Sequence, residues 1–237
     1  MTRIDGRAPD ELRNMRIVPD FMPNSDASCF VEWGRTRILV TANAAFSVPP
    51  FLEGTSRGWL TAEYAMLPGS TGGRKPRERQ RSDSRSIEIQ RLIGRSLRSV
   101  MDFSAIPEMT ITVDADVVEA DGGTRTASIT GGYIAVALLV KKMIKENRIQ
   151  KNPLTTCLAA VSAGIVGNEP LLDLCYQEDS HAEADMNFVG TEFGGISEVQ
   201  ISGEKRPVSQ QELLALLSLC RKGVLELITL QKEILTR

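Results

Sequence analysis

Three groups of side chains in this sequence have the types and spacing to do chemistry. The first is a basic tract. Residues 74–98 hold Arg74, Lys75, Arg77, Arg79, Arg81, Arg85, Arg91, Arg95 and Arg98 against three acidic residues. Eight of these nine are arginine, whose rigid fork grips phosphate oxygens two at a time where lysine acts as a point charge. The second is Asp121-Gly-Gly-Thr-Arg-Thr126, just ahead of an apolar stretch that reads as a helix. Gly122 and Gly123 allow close backbone approach, a helix N-terminus exposes unpaired N–H groups, and Thr124 and Arg125 add donors, so one phosphate would fit. The third is acidic: Glu178, Asp179, Glu183 and Asp185 fall within eight residues, with His181 among them. Asp179 and Asp185 suit a hard divalent ion such as Mg²⁺, which takes one or two carboxylates and keeps several waters. Each group alone also has an ordinary reading: a solvated loop with an exposed helix face, a strand-to-helix turn, a solvated acidic turn. Together they amount to a polyanion track, a small-anion pocket and a cation site. Those are the parts needed for phosphoryl-group chemistry on a nucleic acid, where catalysis is mostly positioning and charge neutralisation.

The elements that must hold these groups are legible in outline. Ala27–Trp33 and Arg37–Ala42 read as strands flanking a hairpin-like Gly34-Arg35, and residues 58–67 as a further strand. Residues 86–100 predict an amphipathic helix with Ile89, Leu92, Ile93, Leu97 and Val100 on its core face. Arg91, Arg95 and Arg98 share a second face of that helix. Residues 109–119 alternate as a strand does, and residues 127–145 read as a buried helix. Strand-like segments follow at 155–166, 171–175, 186–189 and 197–201. A capping box, Ser209-Gln-Gln-Glu212, opens a last helix whose apolar face runs from Leu213 to Ile228. This order suggests an α+β fold with antiparallel or mixed sheets and without classic βαβ alternation.

Composition narrows the function. The 237 residues carry a formal charge of −2. That near-neutrality conceals 16 basic and 11 acidic residues in 1–100 against 12 and 19 in 101–237. A cationic first half and an anionic second half fit a polyanion site beside a cation site. No segment reads as a membrane span, and the charged start lacks the apolar core of a secretory signal. Four scattered cysteines read as buried free thiols in a reducing cytoplasm. A single histidine excludes a multi-histidine zinc site, and His181 itself reads as exposed or supporting. Twelve aromatics are too few for a base-stacking platform.

At this point longer strings become informative. They are Arg3-Ile-Asp-Gly-Arg7 with Asp10-Glu-Leu-Arg13, Gly58-Trp-Leu-Thr-Ala-Glu-Tyr-Ala-Met-Leu-Pro68, Glu88-Ile-Gln-Arg-Leu-Ile-Gly-Arg-Ser-Leu-Arg98, Ala120 to Gly131, and Glu178-Asp-Ser with Ala184-Asp-Met-Asn187. In these, and in their order, the chain resembles the ribonuclease PH family of phosphate-dependent 3′-to-5′ exoribonucleases, relatives of polynucleotide phosphorylase and the exosome core. The resemblance implies a single domain over 1–237, with two-layer mixed β-sheets packed by helices in βαβ-type halves. It implies that Arg85, Gly123, Thr124 and Arg125 bind inorganic phosphate, the co-substrate. Asp179 and Asp185 would hold Mg²⁺ (or Mn²⁺) or give acid–base assistance, with the division of labour open. Arg74, Arg77, Arg91 and Arg95 would grip the RNA backbone. The implied substrate is the 3′ tail of precursor tRNA, and the implied assembly is a cytoplasmic, homo-hexameric ring built as a trimer of dimers. The alternative is a non-catalytic RNA-binding ring subunit of an exosome-like assembly, against which the intact phosphate and carboxylate motifs argue. A hydrolytic nuclease would need more crowded carboxylates. Three departures stand out: Gly69 where the family usually has arginine, Ala184 before the second aspartate, and Gln200-Ile-Ser-Gly-Glu204 near the end.

Overall fold

The computed structural model describes residues 3–76 and 83–236, which leaves the predicted RNA contact Arg77 outside. Strands β1 (Met15–Pro19), β2 (Ala27–Trp33), β3 (Thr36–Ala45), β4 (Trp59–Met66) and β5 (Thr110–Glu119) form one sheet in the order β1-β2-β3-β5-β4. All neighbours are antiparallel except β4 and β5. Strict alternation on β5 buries Ile111, Val113, Ala115 and Val117 and turns Thr112, Asp114 and Asp116 to the other face. Between β4 and β5 runs α1 (Ser84–Arg98), so the first half does contain a parallel βαβ crossover. Strand periodicity reveals faces but not partners, which is why the residue pattern alone did not show this unit. As predicted, α1 buries Ile89, Leu92, Ile93 and Leu97.

The second sheet is antiparallel throughout. It contains β6 (Leu158–Val166), β7 (Glu169–Leu172), β8 (Ala184–Thr191) and β9 (Ile196–Gly203) in the order β7-β6-β8-β9. Between the sheets lies α2 (Thr124–Lys145), which touches β2, β3 and β5 of the first and β6 and β8 of the second. Gly131 makes the fit possible: a Cβ there would come within 2.7 Å of Val31 Cγ2 and 3.1 Å of Val40 Cγ2. α2 is long and apolar enough to cross a membrane, yet 78% of its apolar window is buried in the protein, as a core helix requires. α3 (Tyr176–Asp179) is a single turn, and α4 (Gln210–Thr236) packs on β6, β7, β8 and α2. The predicted capping box holds: Ser209 Oγ accepts from Glu212 N at 3.2 Å, and Glu212 Oε2 accepts from Ser209 N at 2.9 Å.

One contiguous apolar core joins the two sheets, running from Ile17 through Ile134 to Ile234. Cys29 and Cys220 lie in it, and burial pushes both thiols up to about 12. Cys157 and Cys175 are only half-buried, which corrects the expectation for those two. Each stands beside a strand or helix terminus rather than within the core.

Candidate active site

The predicted phosphate turn sits at the start of α2. Gly122 and Gly123 both have positive φ, at 78° and 66°. A Cβ on Gly122 would lie 2.5 Å from Leu174 O, so only glycine fits there. Gly123 is the N-cap and supplies no side chain to the helix. The first-turn N–H groups therefore lack the side-chain cap most helices use. The helix begins three residues before the predicted Ala127, which makes Thr124 and Arg125 its first turn. Thr124 Oγ1 accepts from the buried Tyr64 hydroxyl at 3.0 Å, which fixes the threonine while leaving its own proton available.

The acidic residues reach the same place from the second half. Asp179 closes α3, whose start is tied to the turn by Tyr176 N donating to Asp121 Oδ1 at 3.3 Å. On β8 the alternation buries Ala184 and Met186 and turns Asp185 and Asn187 to one face. Asn187 Nδ2 donates to Asp185 Oδ2 at 3.4 Å. A cleft of about 990 Å³ is lined by Arg85, Glu88, Arg125, Asp179, Asp185, Asn187, Glu204 and Lys205, among others. An adjoining cavity of about 530 Å³ shares Arg85, Arg125, Asp179, Asp185 and Asn187 and adds Gly122, Gly123, Thr124, Ser162 and Lys75. All six residues predicted for phosphate and catalysis thus converge on one continuous opening.

The electrostatics of the opening are mixed. Burial raises the Asp179 carboxyl, and Arg125 and Arg85 only partly oppose it. Asp185 is raised by burial and then by Asp179, with Arg125 pulling the other way and Glu204 adding to the rise. Arg125 is held by Glu88 at 3.0 Å. Its Nε is buried without a partner. The site therefore places arginine donors on one side and a strained carboxyl pair on the other.

An N-terminal strap braces both sides. Arg3 Nε and Nη2 donate to Glu178 at 2.8 and 2.7 Å, next to Asp179. Arg13 donates to Asp173 through N, Nε and Nη2, and to Asp121 O through Nη1 at 2.5 Å. The strings containing Arg3 and Arg13 were visible in the sequence, but nothing local in them indicated these distant partners. Glu204 and Asn187 were likewise missed as site residues. Asn187 was recoverable, because it lies two residues from Asp185 on a strand. The departing segment Gln200–Glu204 lines the cleft and still delivers a carboxylate to it.

The remaining basic residues stand elsewhere. Arg91 and Arg95 line a separate hollow of about 320 Å³ with Trp59, Gln90 and Arg98. Arg98 stacks over Trp59 at 4.6 Å and donates to Leu60 O. Burial, then Arg95 and Arg91, pull its guanidinium below the usual range, which marks a concentrated positive patch. Arg95 also pairs with Glu198 on β9 at 3.2 Å. Arg74 is exposed on the loop after β4, and its neighbour Lys75 reaches the cavity instead. His181 is exposed, its Nδ1 2.9 Å from Gln177 O, as expected of a supporting residue.

With this geometry in place, comparison with known proteins is decisive. The model of the 3′ exoribonuclease family (RNase PH), domain 1, matches residues 11–141, and that of domain 2 matches residues 156–223. The chain belongs to the RNase PH family. The ribonuclease PH of Neisseria meningitidis serogroup C is 47% identical over 232 residues, covering 97% of this chain and 96% of the relative. The ribonuclease PH of Neisseria gonorrhoeae matches at the same identity and coverage. Among solved structures, the Archaeoglobus fulgidus exosome with RNA bound to its active site superposes with a TM-score of 0.80 at 23% identity, covering 95% of this chain and 91% of its own. An archaeal exosome core gives 0.78 at 22%, covering 97% and 91%. The RNase PH family models split at the boundary between the first sheet with α2 and the second sheet, although one core joins the two.

Proposed function

We infer that the chain is a phosphorolytic 3′-to-5′ exoribonuclease. The observation that carries this is the convergence of Arg85, Arg125 and the uncapped start of α2 with Asp179 and Asp185 on one opening. Inorganic phosphate held by Arg85, Thr124, Arg125 and the backbone at Gly123 attacks the phosphorus of the 3′-terminal phosphodiester. A new P–O bond forms to the phosphate, the bond to the preceding nucleotide's O3′ breaks, and a nucleoside diphosphate leaves. The departing O3′ needs a proton. A carboxyl raised by burial and by a like-charged neighbour, as Asp179 and Asp185 are, can hold one.

The same two carboxylates fit a divalent ion. They are oxygen donors, and their raised positions would be relieved by a cation. Among the described residues no three acidic, cysteine or histidine side chains form a closed cage. A two-carboxylate site suits Mg²⁺ (or Mn²⁺), which keeps several of its waters. When bound there, the ion would offset charge on the phosphoryl oxygens.

The RNA backbone would run over Arg74, Arg77, Arg91 and Arg95, and the 3′ tail of precursor tRNA in the cytoplasm is the proposed substrate. A homo-hexameric ring is the proposed assembly. The likeness to an archaeal exosome core supports assembly. Shortening of 3′-labelled RNA with and without inorganic phosphate tests the activity. Phosphate dependence with nucleoside diphosphate product is expected. Equal shortening without phosphate, yielding monophosphates, would overturn the reading, and mass in solution tests the ring.

A further inference from the structure

β6 is an apolar strand with one hydroxyl in its middle, Ser162. The residue is only 9% exposed. Its Oγ has no hydrogen-bond partner. A buried hydroxyl in that state is uncommon in native proteins and calls for an explanation. Six buried side-chain atoms lack partners among the described residues, and two of them, Ser162 Oγ and Arg125 Nε, belong to residues that line the cavity at the start of α2. Both can donate a hydrogen bond, and both sit just behind the wall of the same opening.

The sheet register shows where Ser162 points. It stands opposite Asn187 on β8, and Gly164 stands opposite Asp185. Ser162 therefore shares a face with the Asp185 and Asn187 side chains. From the other side, a Cβ built on Gly123 would lie 3.8 Å from Ser162 Oγ. The hydroxyl thus lies within van der Waals reach of the left-handed turn that starts α2. Gly123, Thr124 and Arg125 line the same cavity. A ligand that satisfied all of them would need several acceptor oxygens pointing in divergent directions, with negative charge to meet the arginines. A tetrahedral oxyanion has that shape, whereas an RNA backbone phosphate is tethered at two of its oxygens.

Building on the phosphorolytic reading, we propose that Ser162 is a ligand of the attacking inorganic phosphate, donating its hydroxyl proton to one phosphate oxygen. Gly123, Thr124 and Arg125 supply the opposite wall, and Ser162 closes the pocket from the sheet. Its role is to hold the nucleophile rather than to transfer a proton.

The test compares the full-length protein with Ser162→Ala, which removes one oxygen and adds no bulk. The KM for phosphate is expected to rise about 10-fold, the loss of one hydrogen bond to a charged group. kcat at saturating phosphate is expected to stay within about 3-fold, and RNA affinity to be unchanged. Without phosphate the variant should melt no lower than the wild type, because the hydroxyl it loses is unpaired. The rise in melting temperature on adding inorganic phosphate should shrink in the variant. An unchanged phosphate KM with an unchanged phosphate-induced rise would overturn the assignment. So would a loss confined to kcat, or a lower melting temperature without phosphate, which would mark a structural role. If the wild type neither requires phosphate nor is stabilised by it, the phosphorolytic reading falls as well. If the wild type responds and the variant responds equally, only the role of Ser162 is lost.

Discussion

Replacing Asp173 by asparagine should damage this protein far more than its conservative chemistry suggests. Asp173 is 1% exposed. Its carboxylate receives Arg13 N at 2.7 Å, Arg13 Nε at 3.1 Å, Arg13 Nη2 at 2.7 Å and Trp33 Nε1 at 2.8 Å. Arg13 is itself only 6% exposed. Burial pulls the Arg13 guanidinium down, and the charge and hydrogen bonds of Asp173 more than reverse that. Asp173→Asn removes the counter-charge and presents an amide donor where an acceptor is needed. Stranding a buried charge in this way costs about 3–5 kcal/mol. For a chain of this size each kcal/mol moves Tm by about 2–4 °C, so a fall of roughly 6–20 °C is expected. The backbone does not contribute, because φ at Asp173 is 55° and asparagine tolerates that region as well as aspartate. Thermal unfolding followed by circular dichroism measures the effect. Adding Arg13→Met to the variant should recover much of it by removing the stranded charge. Phosphate affinity should fall in the single variant too, since Arg13 also holds Asp121 O beside the phosphate turn. A Tm within about 3 °C of wild type would refute the reasoning.

Arg125→Ala should lower kcat/KM for phosphate about 100-fold while sparing RNA affinity, the usual scale for losing a charge-stabilising donor. Steady-state kinetics with a binding assay would expose a wrong pocket if RNA affinity collapsed and the phosphate response stayed. Asp185→Asn should abolish cleavage yet raise the melting temperature of the metal-free protein, because it removes one of two mutually repelling carboxylates. The sign follows from their raised positions: the folded state binds more protons than the unfolded one above pH ~4, so the pair erodes stability as pH rises from the ordinary carboxylate range to their raised positions. A wild-type melting curve against pH that shows no loss relative to Asp185→Asn over that window would contradict the assignment. RNA affinity should fall with salt at a log–log slope of about −0.7 per phosphate contacted, and a flat response would exclude the arginine track.

Local signals were readable and tertiary ones were not. β2 spans Ala27–Trp33 as the hairpin-like reading predicts, and α1 buries four of the five aliphatic residues its period selects, with Val100 just past its end, because each pattern reports a local element against one core face. The box at Ser209 and Glu212 was legible because its partners are three residues apart. α3 was read as an acidic loop. Its turn is fastened by Arg3 on Glu178 across 175 positions, and no local pattern encodes that. The parallel pairing of β4 with β5 is equally non-local. At the site, the types of Arg85, Arg125, Asp179 and Asp185 pointed to the chemistry before any distance was known. Ser162 did not, since a lone hydroxyl in an apolar strand has no meaning until its neighbours across the cavity are seen.

The strap has a consequence in time. Arg3, Arg7 and Arg13 emerge from the ribosome early, but their acceptors Leu172, Asp173 and Glu178 are made some 160 to 175 residues later. At about 5–20 residues per second the arginines wait roughly 8 to 35 seconds for these acceptors. Arg7 has Asp5 beside it, but Arg3 and Arg13 wait for Glu178 and Asp173. Closing the strap thus also seats the turn and the carboxyls against each other, so a nascent chain that ends before residue 178 carries no braced site.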